Sequence, residues 1–438
     1  MKNYKSNKNL FNVTTLILII LVSILISLVY ILIEPLYQNS LFVTKNNGVI
    51  SVSDFVLFYE SGAIAKSSDA QNVYNPEIQL KWANKLIYPD YINRVFYINY
   101  VPFMFALMIP LTLVSMTQAY FSWCICSVAF ALYGINKLLI KTQHLNKIQR
   151  LIFFISLFIS VPSIYCLKLG QSSYLILGLF SMFLYLEFNH KAKIAGILFA
   201  LTTIKPQYIF LILTDILVNK RMRTLSSFVL TEIILFMIAI ATIGIQETLK
   251  FPYILINSET TRNMNSLILA GNYPERMTNL RAILTTFLSL KFSFYISLIA
   301  IIIIIIFILK NRKISYLNDT LKYWYYSVLL VASVFLGPHT FIHDSVLLAI
   351  PAALTLKTLN FKEILNNQEK SEIIWSFLII FYPFASWLCL FMQLYSPFKI
   401  SYLAIYHLLL LASCLTMYQR LVNLNNKTVN LTLDSNQS

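Results

Sequence analysis

The chain has 438 residues, of which 58% are hydrophobic and only 12% are charged. This number of charged side chains is too small to cover the core of a soluble protein of this size. The composition therefore excludes an ordinary soluble protein. The formal net charge of +16 at pH 7 would indicate a nucleic-acid partner in a soluble chain. Here the positive charge lies in short loops between apolar runs, as in membrane proteins, and we expect no nucleic-acid partner.

Ten apolar runs follow one another along the chain, and most are close to the roughly 20 residues that cross a bilayer as a helix. They are continuous rather than alternating, which argues against a membrane β-barrel. We therefore predict an all-α, polytopic membrane helical bundle with about 10–12 transmembrane segments. The runs are residues 11–33, 119–136, 151–168, 172–186, 224–245, 292–309, 323–337, 341–356, 373–394 and 397–418.

Short basic stretches separate several runs, and the positive-inside rule assigns them and the N-terminus to the cytoplasm. The two long loops, 34–96 and 246–285, then face the extracytoplasmic side. We treat residues 1–418 as one transmembrane domain and 419–438 as a cytoplasmic polar tail, which we expect to be disordered. The basic stretches contain Lys2, Lys5, Lys8, Lys137, Lys141, Lys147, Arg150, Lys220, Arg221, Arg223, Lys310, Arg312 and Lys313.

The first long loop contains two segments whose apolar residues recur at helical spacing. Residues 54–66 and 76–87 are predicted to form short amphipathic helices, with Ser53 placed to cap the first. In an extracytoplasmic loop, such helices would lie flat on the outer leaflet.

Prolines interrupt two further apolar segments. Residues 97–113 contain Pro102 and Pro110, and residues 194–217 contain Lys205-Pro206 near their centre. If both segments crossed the membrane, the basic loop at 137–150 would face outside, against the charge rule. We therefore prefer an arrangement in which 97–113 re-enters or lies at the interface and 194–217 forms a broken hairpin that turns at Lys205-Pro206.

Ionisable and polar residues beside or within apolar stretches are the candidate functional residues of a membrane protein. Asp54 follows the first apolar run, and its alternative role is that of a solvated, helix-capping carboxylate. The segment 168–171 (Lys-Leu-Gly-Gln) is either part of a site or a plain turn between helices. Lys205 lies mid-stretch, where a charge costs roughly 2.5–3.5 kcal/mol on insertion scales, unless its side chain reaches the interface.

The segment 337–344 is the fourth candidate, because it contains His339, His343 and Asp344. Two histidines four residues apart on a helix can bind a metal. Pro338 predicts a turn instead and no third ligand is evident, so we expect no metal site and no cofactor. In the preferred arrangement all four candidates face the extracytoplasmic side, which indicates one shared site there.

The motifs of this chain, taken in order, resemble those of glycosyltransferase family 87, the polyprenol-phosphate-mannose-dependent alpha-mannosyltransferases. The likeness extends over roughly residues 50–350. It departs from the family pattern at Val101, where a first proline is frequent, and at His343, where a tyrosine is common. The matching motifs are Asp54-Phe55, Tyr59, Gly62, Val73-Tyr74, Tyr100-Val101-Pro102, Pro110-Leu111, Gly170-Gln171, Ala195-Gly196, Lys205-Pro206 and Pro338-His339 with Asp344.

The resemblance implies a bundle of GT-C type in the inner or plasma membrane. It also implies an inverting transfer of a hexose, mannose in the family, from a polyprenyl-phosphate sugar to an extracytoplasmic glycan or glycolipid. Asp54 would be the general base that deprotonates the acceptor. The leaving lipid phosphate is anionic and needs cations, which Lys205, Arg276 and Arg281 could provide, with His339 orienting the phosphate or acceptor. The residues expected to line the acceptor side are Tyr59, Gln171, His343 and Asp344.

Two other classes of protein remain open on the sequence. A lipid-oligosaccharide flippase or transporter would show paired repeats and a charged path at the bilayer midplane, whereas this chain has one broken helix without a counterpart. An O-antigen-type polymerase or ligase would depend on arginines in the outer loops, and Arg262, Arg276 and Arg281 meet that condition. Asparagine in place of Asp54 should stop a glycosyltransferase of this type and leave a transporter working.

Overall fold

Helices dominate the part of the chain that the structure describes, and the predicted all-α membrane bundle is confirmed. The structure is a computed structural model that describes residues 22, 26, 41–46, 49–140, 145, 147–260, 268–269, 277–313, 318–358, 370–396 and 400–435. Apart from two helical positions, the first predicted span, 11–33, lies outside the described residues. Arg262 and Arg276 lie outside them as well.

Eighteen α-helices are named here in chain order within the described residues. They are α1 (Asp54–Ala65), α2 (Pro76–Leu86), α3 (Pro102–Met108), α4 (Met116–Leu139), α5 (Lys147–Phe158), α6 (Val161–Leu169), α7 (Ser173–Phe188), α8 (Ala192–Leu201), α9 (Phe210–Val218), α10 (Met222–Ile243), α11 (Ile245–Thr260), α12 (Leu280–Leu284), α13 (Leu290–Asn311), α14 (Asp319–Leu336), α15 (Ala349–Thr358), α16 (Lys370–Ile380), α17 (Tyr382–Tyr395) and α18 (Tyr402–Ser435).

Length and composition qualify four described helices, α4, α10, α13 and α18, to cross a membrane. The pairs α5–α6 and α16–α17 bend by 56° and 76° at short breaks, and counting each pair as one span raises the number to six. Other predicted runs form shorter helices, such as the 16-residue α7. Helix α18 continues to Ser435, so the expectation of a disordered tail from residue 419 was wrong.

Helix α1 of the first long loop is largely covered by other parts of the protein. A hairpin of β1 (Val43–Asn46) and β2 (Val49–Val52) leads into α1. Ser53 takes the N-cap position of α1, but its side chain makes no capping hydrogen bond. Phe55 and Phe58 on α1 are buried and α1 packs on α3, which corrects the expectation of a helix lying on the leaflet.

The two long loops, 34–96 and 246–285, meet in a short parallel sheet. It pairs β3 (Val95–Phe96) from the first loop with β4 (Ile268–Leu269) from the second. Between β3 and α4, the proline-interrupted segment 97–113 contains only α3 and a short 3-10 helix, Ile109–Leu113. At 1.5 Å per residue the seven-residue α3 is about 10 Å long, too short to cross a bilayer.

The segment 194–217 forms the predicted helical hairpin. Helices α8 and α9 are separated by two 3-10 turns on either side of Lys205. Arg221 follows α9, and Glu187 lies in the last turn of α7, a few residues before α8 begins. Their side chains meet at the open end of the hairpin, with Arg221 Nη1 2.9 Å from Glu187 Oε1. At the tip, Lys205 Nζ lies 2.9 Å from Ser173 Oγ, at the opposite end of α7 from Glu187. The hairpin therefore runs along α7 and carries Lys205 to the end where α7 begins.

Candidate active site

Asp54, the first residue of α1, is held by the turn between α6 and α7. Gln171 Nε2 donates a hydrogen bond of 2.5 Å to Asp54 Oδ2. The turn is possible because Gly170 adopts a left-handed conformation with φ of 64°, and Trp123 Nε1 donates to its carbonyl oxygen at 3.0 Å. A Cβ on Gly170 would lie 2.7 Å from that of Phe55. The segment 168–171 is thus a turn between helices, and its Gln171 also contacts Asp54.

Lys205 reaches the same place from the tip of the α8–α9 hairpin. Its Nζ lies 3.4 Å from Gln171 Oε1 and 2.9 Å from Ser173 Oγ, and it forms an ion pair with Asp344. The Lys205 side chain is only 13% exposed and that of Asp344 only 1%. The charge in the middle of this apolar stretch is therefore balanced by a carboxylate rather than by solvent.

Asp344 lies in a 3-10 helix, Ile342–Leu348, that follows α14. Besides pairing with Lys205, its Oδ1 accepts a 2.7 Å hydrogen bond from Ser173 Oγ. Its Oδ2 accepts a 3.1 Å bond from the Phe341 amide and lies 3.5 Å from His343 Nε2. Both carboxylate oxygens of Asp344 are engaged, whereas no described donor is bonded to Oδ1 of Asp54.

The two histidines flank an aromatic side chain in the turn before this 3-10 helix. The rings of His339 and Phe341 meet edge to face with centroids 4.7 Å apart, and those of Phe341 and His343 stack at 5.9 Å. Gln207, from the hairpin tip, donates to the His339 carbonyl oxygen at 3.0 Å. His339 is half-buried and His343 is buried.

Arg281 and Tyr59 each donate a hydrogen bond to a backbone carbonyl oxygen. Arg281 is fully buried in α12; its Nη1 donates to the Pro338 carbonyl oxygen at 2.7 Å and its guanidinium lies 5.3 Å from the Phe294 ring centroid. It thereby supports the turn that carries His339. Tyr59 donates to the Val114 carbonyl oxygen at 2.8 Å. The phosphate-binding role of Arg281 and the site-lining role of Tyr59 stay predictions.

Opposing effects act on the carboxyl of Asp54. Burial raises its pKa above the ordinary value, because the charged form loses hydration. The hydrogen bond from Gln171 and the positive charge of Lys205 lower the pKa, the charge of Asp344 raises it, and His339 lowers it. A carboxylate with a raised pKa is a stronger proton acceptor, provided that it is ionised at the working pH.

Ser173 is a member of the cluster that sequence reasoning missed. It accepts from Lys205 and donates to Asp344, so its hydroxyl joins the two charges. Serine in the first turn of a helix is common, and nothing in the sequence distinguishes Ser173 from the adjacent Ser172. The one indication was its nearness to Gln171, two residues earlier, and Ser172 shares that nearness.

Taken together, the helices define a multi-pass membrane protein with a buried polar site at one end of α7. The model of glycosyltransferase family 87 matches residues 97–338, more than half of the 438-residue chain, and the chain belongs to that family. The protein is accordingly a glycosyltransferase. The matched stretch includes Gln171 and Lys205 and begins after Asp54. No curated protein matches the chain, and no solved structure does.

Proposed function

We propose that this glycosyltransferase moves a hexose, with mannose as the first candidate, from a polyprenyl-phosphate sugar to an extracytoplasmic glycan or glycolipid. The main support for this proposal is the carboxylate of Asp54 in the first long loop. Its Oδ2 accepts a hydrogen bond from Gln171, and no described donor is bonded to its Oδ1. A general base needs this combination of a fixed orientation and an accessible oxygen.

The proposed reaction uses Asp54 as the base. The acceptor hydroxyl gives its proton to Oδ1 as its oxygen attacks the anomeric carbon of the donor. The bond from that carbon to the phosphate oxygen breaks on the opposite face, so the sugar configuration inverts and the lipid phosphate leaves as an anion. Positive charge near the phosphate stabilises the leaving group, and we assign that role to Arg281 and Arg276, with the charge of Lys205 nearby and His339 orienting the phosphate or acceptor.

We infer that the site faces the extracytoplasmic side of the cell membrane. The support is the distribution of charge, since Lys310, Arg312 and Lys313 lie at the C-terminal end of α13, and Lys220, Arg221 and Arg223 lie at the start of α10. Arg221 lies at the open end of the α8–α9 hairpin, away from Lys205 at the tip. If the basic end is cytoplasmic, the end that contains Asp54 faces outside, where a lipid-linked donor would present its sugar.

The test is sugar transfer by the purified protein, with a panel of polyprenyl-phosphate sugars and mass spectrometry of the products. Asp54→Asn keeps the shape of the side chain and removes its basicity, so we expect transfer at least about a hundredfold slower with donor binding retained. Asp69→Asn is the matched control, because Asp69 lies in the same loop and bonds to Lys81 and Trp82 instead.

The control should transfer sugar at nearly the wild-type rate. If Asp54→Asn kept more than about a tenth of wild-type transfer, less than about 1.4 kcal/mol of barrier would depend on this carboxylate, and it would not be the base. Lipid translocation without any transfer by the wild-type protein would instead favour the flippase alternative.

A further inference from the structure

The orientation of the Gln171 side-chain amide is determined by two charges of opposite sign. Its Nε2 donates to the Asp54 carboxylate, and its Oε1 faces the Lys205 ammonium at 3.4 Å. The reversed amide would place its oxygen against a carboxylate and its N–H groups against an ammonium, and both contacts would be repulsive. The Lys205 charge therefore selects the orientation in which Gln171 can hold Asp54.

Lys205 is itself held on two sides by residues from other helices. Asp344 pairs with it, and Ser173 Oγ lies 2.9 Å from Nζ while donating to Asp344 Oδ1 at 2.7 Å. The side chains of Asp344 and Ser173 are buried. Each of the three side chains, Ser173, Lys205 and Asp344, bonds to the other two, so the Lys205 ammonium has a defined position relative to Gln171.

We propose that Ser173, Lys205 and Asp344 are positioning residues that act through Gln171 on the base, and this rests on the proposed role of Asp54. The chain of contacts holds Asp54 Oδ2 and turns Oδ1 towards the acceptor hydroxyl. Asp344 then serves as the counter-ion of Lys205 and not as a second base. The principal task of Lys205 is to orient Gln171, and it does not bind the donor phosphate directly.

The double variant Lys205→Met/Asp344→Asn tests this proposal, because it removes both buried charges together and leaves neither unpaired. We expect a folded protein whose kcat falls by about tenfold or more while KM for the lipid donor changes little. The acid limb of its pH–rate profile should move to higher pH, because losing the Lys205 charge and loosening the Gln171 hydrogen bond raise the pKa of Asp54 by more than losing the Asp344 charge lowers it. Lys322→Met/Asp319→Asn is the matched control, since this ion pair lies at the start of α14, where the Asp319 side chain is 74% exposed.

The control should keep the wild-type kcat and pH profile. A wild-type kcat and acid limb in the Lys205→Met/Asp344→Asn variant would show that the ion pair is structural only and would overturn the proposal. A raised donor KM with unchanged kcat would also overturn it, since Lys205 would then be a phosphate ligand. These outcomes are separate from failure of the base assignment, which would show as activity in Asp54→Asn.

Ser173→Ala provides a second variant that removes no charge, so the proposal stays testable if the double variant does not fold. Loss of the hydroxyl removes one hydrogen bond from Lys205 and one from Asp344. We expect a smaller loss of kcat, with the acid limb displaced in the same direction and donor KM unchanged. A folded Ser173→Ala protein with the wild-type kcat and pH profile would contradict the positioning chain.

Discussion

Burial raises the pKa of Asp54 and the hydrogen bond from Gln171 lowers it, and burial is the larger effect. A base with a raised pKa becomes protonated at a higher pH as the solution is acidified, so transfer is lost earlier. We expect the acid limb of kcat/KM to lie above the ordinary aspartate value of 3.8. Gln171→Met should move it higher still, because the hydrogen bond that lowers the pKa is gone. The dependence of kcat/KM on pH is measured for the wild type and for Gln171→Met. A wild-type acid limb at or below 3.8 would contradict the predicted rise in the pKa of Asp54.

The buried ion pair of Lys205 and Asp344 leads to a prediction about thermal stability. Lys205→Met alone leaves Asp344, only 1% exposed, as a buried charge without its cation. Breaking a buried ion pair on one side costs about 3–5 kcal/mol. Lys205→Met/Asp344→Asn should therefore have a higher thermal midpoint in detergent than Lys205→Met. Equal midpoints would mean that the pair contributes little to folding.

Among the helices, α1 matters most for function because it carries Asp54, and its position depends on close contact with α3. A Cβ added to Gly62 would lie 2.5 Å from the Met108 carbonyl oxygen, which is backbone and cannot move aside cheaply. Gly62→Ala should cost about 1–3 kcal/mol through overpacking and displace α1, so transfer should also fall. Ala63→Ser, one residue further along α1, is the control.

Thermal unfolding and the transfer assay together measure the effect of Gly62→Ala. A variant with wild-type stability and wild-type transfer would show that α1 and α3 separate without disturbing Asp54. The two measurements also separate alignment from stability. If the transfer rate falls while the thermal midpoint stays at the wild-type value, catalysis is limited by the alignment of α1 and not by its stability.

For the whole molecule, the basic residues predict which end of the bundle faces the cytoplasm. Lys66→Cys, at the exposed C-terminal cap of α1, should be labelled by a membrane-impermeant thiol reagent in intact cells. Arg312→Cys, exposed at the end of α13, should be labelled only after the membrane is permeabilised. The unsubstituted protein provides the background from its five cysteines. The reverse pattern would place the Asp54 site in the cytoplasm.

The sequence alone was sufficient for the class of fold and for the candidate segments of the site. Apolar runs long enough to cross hydrocarbon leave a helical bundle as the solution, and a proline beside a lysine predicted the break at Lys205. These are local properties, because hydropathy and the missing proline amide act within a few residues. The same locality explains why short helices in the first loop were predicted correctly.

Tertiary structure decided which groups meet and which face of each helix is covered. Asp54 and Gln171 are 117 residues apart in the chain, Lys205 and Asp344 are 139 apart, and Ser173 and Asp344 are 171 apart. No local pattern encodes such pairings, so Ser173 was missed and α1 was expected on the leaflet instead of against α3. These contacts require α1, the tip of the α8–α9 hairpin and the 3-10 helix Ile342–Leu348 to meet at the start of α7, and only the packing of the whole bundle brings them together.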